Sequence, residues 1–199
     1  RDVLASASRG QAQAMANLLA QNVALGVSPM VTARQMGEQF GTVLRRAQTI
    51  ARTETVRAFR EAGHLSMQAN EDIIDGWIWL SSLSTRTCVA CFAMHNTWHP
   101  NSERLQDHPN GRCVAAPAIR GSQRPPPNGG ERFAQLTEAQ QRRILGNAKY
   151  TAWRDGAFDF GDLAGTYTDP RWGNSVRERS LRSILGEELA NDYLQNGNA

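Results

Sequence analysis

The sequence predicts an α+β fold that is mainly helical, with long N-terminal helices, a small cysteine-bearing β-hairpin module and a short helical C-terminal tail. Three observations predict it. Apolar residues recur at a 3.6-residue period over 43–68. The aromatic and branched run Gly76-Trp77-Ile78-Trp79-Leu80 follows an acidic turn, as a short strand would. The stretch 121–130, Gly-Ser-Gln-Arg-Pro-Pro-Pro-Asn-Gly-Gly, separates these from a second helical pattern. The expected division is a helical region over 1–70, a β module over 71–120, a linker over 121–132 and a helical tail over 133–199.

Each element has a local reason. Residues 3–25 are rich in Ala, Gln, Leu and Met with few breakers, and read as one helix. Ser28-Pro29 supplies a cap and a first-turn proline for a helix over 29–40. Gly41-Thr42 breaks it. A helix over 43–68 follows, with Val43, Leu44, Ala47, Ile50, Ala51, Ala58, Ala62 and Leu65 on its apolar stripe. Glu54 falls on that stripe, where a carboxylate needs a partner. Short strands are expected at 97–99 and 112–116. Residues 121–130 suit neither helix nor central strand. Thr137 caps a helix over 138–153, residues 156–174 read as loop, and a last helix runs over 175–194.

The 199 residues are 40% hydrophobic, enough for a packed core in one ordinary domain or two small ones. No apolar run approaches the roughly 18–20 residues that cross a bilayer. The first residues, Arg1-Asp2-Val3, carry no initiator Met, which reads as a trimmed N-terminus. The net charge of +3 is unevenly spread: residues 1–70 and 76–150 are net basic, 71–75 and 151–199 net acidic. The basic segments suit a polyanion and the tail does not. Lys149 is the one lysine, so the cations are arginine forks.

Three cysteines cannot form a fully paired disulfide set. Cys88 and Cys91 form a Cys-x-x-Cys, and His108 and Cys113 return through a turn eased by Pro109 and Gly111. Two thiolates from one turn and two more donors from a second make a tetrahedral site for a structural zinc. His95 and His99 are also near, and either is an alternative fourth ligand to His108. A closed four-ligand site leaves no position for substrate. A redox pair at Cys88 and Cys91 is disfavoured because no βαβ pattern surrounds it. A His-Asn-His type nuclease is disfavoured because no well-spaced set of that kind stands on a strand–helix hairpin. No catalytic residue is proposed.

Three blocks in order carry a family resemblance. They are Ile50-Ala51-Arg52-Thr53-Glu54-Thr55 in the long helix, Trp77 followed by Arg86-Thr87-Cys88-Val89-Ala90-Cys91, and His108-Pro109-Asn110-Gly111-Arg112-Cys113 followed by Pro117. Over residues 30–118 the chain resembles the phage head-morphogenesis domain, also called the phage Mu F-like minor head protein domain, with 30–70 as the helical part of its core. Residues 133–186 are similar to the tail of some members. Two positions depart from the pattern: Ser84 stands where Asp is frequent, and Gly111 where Cys is frequent.

The resemblance implies a minor head protein of a tailed bacteriophage, assembled in the host cytoplasm and held inside the capsid near the portal vertex. It implies the portal protein as partner, with major capsid or scaffolding protein and packaged double-stranded DNA as further candidates, and no membrane. Arg45, Arg46, Arg52, Arg57 and Arg60, mostly off the apolar stripe, are the candidate DNA or portal contacts. A DNA-binding head protein and a zinc-dependent nuclease or effector are the alternatives. Trp153, Phe158, Phe160, Tyr167 and Trp172 are either anchors on a neighbour or the tail's own core.

Overall fold

The computed structural model describes residues 9–84, 86–122 and 127–196. Helices α1 (Arg9–Ala24) and α2 (Pro29–Phe40) are followed by the long α3 (Leu44–Ala69). Residues 3–8 of the first predicted helix lie outside the described residues. The Ser28 side chain accepts the Val31 N–H at the start of α2, and Gly41, at φ 64°, ends it in the left-handed region. These helices share a core of Met15, Leu19, Ala33, Met36, Ala47, Ile50 and Ala51. Ala33, Ala47 and Ala51 are fully buried, so the backbones of α2 and α3 approach closely.

The α3 stripe is correct only at Ala47, Ile50 and Ala51: Val43 and Leu44 at its start are exposed, and so is its second half. Ala47, Ile50 and Ala51 are buried, whereas Ala58, Ala62 and Leu65 face solvent. The second half buries His64 and Met67 instead. The reason is a change of neighbour along one helix. The first half packs against α2, and α3 also meets the sheet strands that follow it. Glu54 finds the partner it needs in Arg57, at 3.1 Å in a half-exposed pair.

Strand β1 (Ile74–Leu80) is the centre of a three-stranded antiparallel sheet, between β2 (Trp98–Pro100) and β3 (Val114–Ile119). Trp77 stands opposite His99 on one side and Pro117 on the other. Trp77 and Trp79 are almost wholly buried. Helix α4 (Val89–Ala93) lies between β1 and β2 in the chain and carries Cys91.

The tail departs from the predicted helices in three places. The predicted linker ends early, because α5 (Gly129–Ala134) starts inside it, closed by a reciprocal capping box between Asn128 and Glu131; residues 123–126 lie outside the described residues. The predicted helix over 138–153 is two helices, α6 (Glu138–Leu145) and α7 (Asn147–Arg154), broken at Gly146 with φ 75°. The predicted loop and last helix contain a hairpin, β4 (Ala164–Asp169) and β5 (Gly173–Glu178), before α8 (Leu181–Leu185) and α9 (Glu187–Asn196). Asp169 sets its turn by accepting the Arg171 and Trp172 amides, and Gly173 supplies the φ of 72°. Ser180 then caps α8, which prevents β5 and the helices from forming one helix.

The tail is not a separate core. Val89, Phe92 and Ala93 of α4 are buried with Phe133, Tyr150, Phe158, Phe160 and Leu163. Phe133 stacks edge-on to Phe92 at 5.9 Å and to Trp153 at 5.0 Å. Trp172 instead packs back against the front helices, and Tyr167 is exposed.

Candidate metal centre

Two turns bring the sulfur and nitrogen donors together. Cys88 is the N-cap of α4, and its Sγ accepts the Cys91 N–H at 3.4 Å. The second turn, 107–113, is folded by its own polar groups. Gly111 N–H donates to the His108 carbonyl at 2.9 Å, and Asn110 takes the left-handed region at φ 64°. His108 then lies with its Nε2 at 3.2 Å from Cys88 Sγ and 3.4 Å from Cys91 Sγ. Tetrahedral zinc with bonds of about 2.0–2.3 Å sets donors roughly 3.5–3.8 Å apart. Cys88, Cys91 and His108 form one group of mutually close donor atoms, and Cys91, Asp107 and Cys113 form another that shares Cys91.

The tautomer of His108 fits a ligand role. Its Nδ1 is 2.9 Å from the Pro109 carbonyl, which can only accept, so Nδ1 carries the proton. Nε2 is then the nitrogen that faces the thiols, with a lone pair free for a metal when the ring is neutral. His95 and His99 stand apart from the cluster. His95 Nδ1 is bonded to Ser81. His99 stacks on Trp77 at 4.2 Å, with its nitrogens near Glu103 and Thr97.

The electrostatics show a thiolate–imidazolium pair beside a thiol that resists ionisation. The Cys88 thiol is pulled down to about 4 by bonds from Cys91 and then His108, against its burial. His108 is held up to about 9, chiefly by Cys88, with Pro109 and Asp107 adding to it. Cys91 is pushed far up by the Cys113 and Cys88 sulfurs, by burial and by Asp107. Cys88 and Cys91 resist ionising together, and a divalent metal would supply the charge that lets both do so. The cavity lined by Cys88, Cys91, His108 and Cys113 has about 40 Å³. Cys88 also lines a larger neighbouring cavity of about 410 Å³, walled by Leu83, Val89, Phe92 and Ile144.

Two residues of this centre were not read from the sequence as part of it. Asp107 is fully buried and accepts from His108 N at 2.8 Å and Cys113 N at 3.2 Å. Arg60 of α3 donates to Asp107 at 2.7 Å and to the Cys113 carbonyl through both Nε and Nη2. Arg60 is therefore turned inward. Arg57 also points inward, bonding Glu54 and the Trp172 carbonyl. Arg45 and Arg46 are exposed and Arg52 half-buried. Thr53 and Thr49 reach the same turn, accepting the backbone and side-chain N–H groups of Asn110 at 3.0 and 3.1 Å.

A family model described as Phage Mu protein F like protein matches residues 13–116. The match spans α1 to the middle of β3 and contains every residue of the centre. It places the chain among the structural proteins of phage head morphogenesis. Within that class, the chain belongs to the phage Mu protein F like family. No curated protein and no solved structure matches the chain significantly. No helix among the described residues is long and apolar enough to cross a membrane.

Proposed function

We propose that the protein is a minor head protein of a tailed bacteriophage, a non-enzymatic assembly component inside the capsid. In this reading it binds the portal protein near the packaging vertex, and Cys88, Cys91, His108 and Cys113 hold one structural zinc. When bound, the metal supplies charge to three thiolates and a rigid link between two turns. The observation that carries the reading is the coincidence of the family match with the closed donor set. The matched span ends just after Cys113 and contains all four proposed donors. Two exposed features suit a partner: the apolar stripe Ala58, Phe59, Ala62 and Leu65 on α3, and Arg45 with Arg46 at its start.

The test is metal content by mass spectrometry with co-purification of the portal protein from the same phage. One zinc per wild-type chain, none in Cys88→Ser, and portal recovery that fails for Phe59→Glu with Leu65→Glu are the expected results. A metal-free, folded wild type would overturn the zinc assignment, and unchanged portal recovery would overturn the docking stripe. A DNA-binding main role is the second reading, favoured by exposed Arg45 and Arg46. It is weakened by the inward use of Arg57 and Arg60. Salt-dependent affinity for any duplex, reduced in Arg45→Ala with Arg46→Ala, would favour it.

A further inference from the structure

The carboxylate of Asp107 lies inside the donor cluster. Its Oδ1 is 3.5 Å from both Cys91 Sγ and His108 Nε2. It is wholly buried, and a buried carboxylate persists as an ion only where it is paired and hydrogen-bonded. Here the bonds come from two different places. The backbone N–H groups of His108 and Cys113 hold it from the turn that carries those two donors. The guanidinium of Arg60, itself only 12% exposed, holds it from α3, 47 residues earlier in the chain. The same guanidinium grips the Cys113 carbonyl. Gly111 leaves the room: a Cβ there would overlap the Asp107 carboxylate.

The 3.5 Å spacing alone would suit a ligand, but Oδ1 is engaged by the His108 N–H and Oδ2 by Arg60 and the Cys113 N–H. From this engagement we infer that Asp107 and Arg60 are positioning residues of the metal centre, with Asp107 held out of coordination. Asp107 fixes the spacing of His108 and Cys113, and Arg60 fixes Asp107 from α3. The ligand set is then three thiolates and one imidazole, and metal binding becomes the latch that joins α3 to the sheet module. Buried partners of metal ligands typically change affinity by roughly 10–100-fold when removed. The inference rests on the metal reading of the centre.

The experiment is a cobalt(II) titration of the full chain, followed by its absorption, with zinc competition for affinity. Wild type should take one cobalt with an intense tetrahedral visible band and thiolate charge transfer in the near ultraviolet. Cys113→Ser should lose about a third of the charge transfer, as one of three thiolates. Asp107→Asn should keep band positions and charge transfer per bound cobalt while binding roughly 10–100-fold more weakly. Arg60→Met should weaken binding similarly, Arg60→Lys should restore part of it, and Gly111→Ala should behave as Asp107→Asn. Shifted visible bands in Asp107→Asn would show that Asp107 ligates and overturn the inference. Unchanged affinity in both Asp107→Asn and Arg60→Met would also overturn it. A wild type that takes no cobalt or zinc would remove the metal reading itself. If Asp107→Asn does not fold, Gly111→Ala and Arg60→Lys carry the same comparison.

Discussion

The α-carbon of Gly129 lies against the carbonyl oxygen of Phe92, so closely that no Cβ fits between them. The Gly129 amide meanwhile donates to the His95 carbonyl at 3.0 Å. The start of α5 is thereby seated on the end of α4. Gly129→Ala should therefore cost about 1–3 kcal/mol, the usual range for an overpacked position. Chemical denaturation with an unchanged slope and a lowered midpoint is the expected result; an unchanged midpoint would show that α5 shifts freely.

The aromatic contacts around Phe133 make a second stability test. Phe133 is fully buried and touches Phe92, Trp153 and Phe160. Phe133→Ala should cost about 3–5 kcal/mol. Because α4 belongs to this core, the loss should be felt in metal retention as well as in the melting temperature. A tail that melts separately while the metal stays bound would contradict the shared core.

Metal uptake should depend steeply on pH. In the metal-free chain the His108 pKa is raised to about 9, so near neutrality its ring is protonated, and Cys91 is raised too. Metal must displace both protons. Apparent affinity should therefore rise with pH by tenfold per unit for each proton displaced, and less steeply above about 9, where His108 is already neutral and Cys91 is not. Competition against a coloured chelator across pH 6 to 9 measures it, and a flat profile would show that these protons are already absent.

Thr53→Val removes a hydroxyl while keeping the shape. It leaves the Asn110 amide without its partner on α3. A cost of about 0.5–1.5 kcal/mol is expected, the net worth of one hydrogen bond, because Asn110 is exposed and water can replace Thr53. Faster hydrogen exchange at Asn110, beside unchanged exchange in α1 and α2, is the signature to look for.

The clustering of Cys88, Cys91 and His108 was legible in the sequence because cysteine spacing is a local signal. Their support was not. Asp107 is one residue from His108, but its meaning depends on Arg60, which the helical period places off the stripe that faces α2. The period was read as one face, whereas α3 serves two neighbours on different sides. The same limit explains the hairpin β4–β5. Its turn signals, Asp169-Pro170 and Gly173, stand in the sequence, as do Ser180 and Gly186, the cap and the break that divide the last helix. The aromatic residues showed that a core existed, but not that α4 would supply part of it.

Helix α3 spans 26 residues, about 39 Å, and its two halves bury side chains in different surroundings. It thus works as a ruler. A tilt of about 5° at the sheet end would move the far end by roughly 3 Å. That is as much as the length of one hydrogen bond. Whatever grips the exposed start of α3 in an assembled head is therefore set at a fixed distance from whatever meets the sheet. The tightness of the Arg60 and Thr53 clasps decides how exact that distance is.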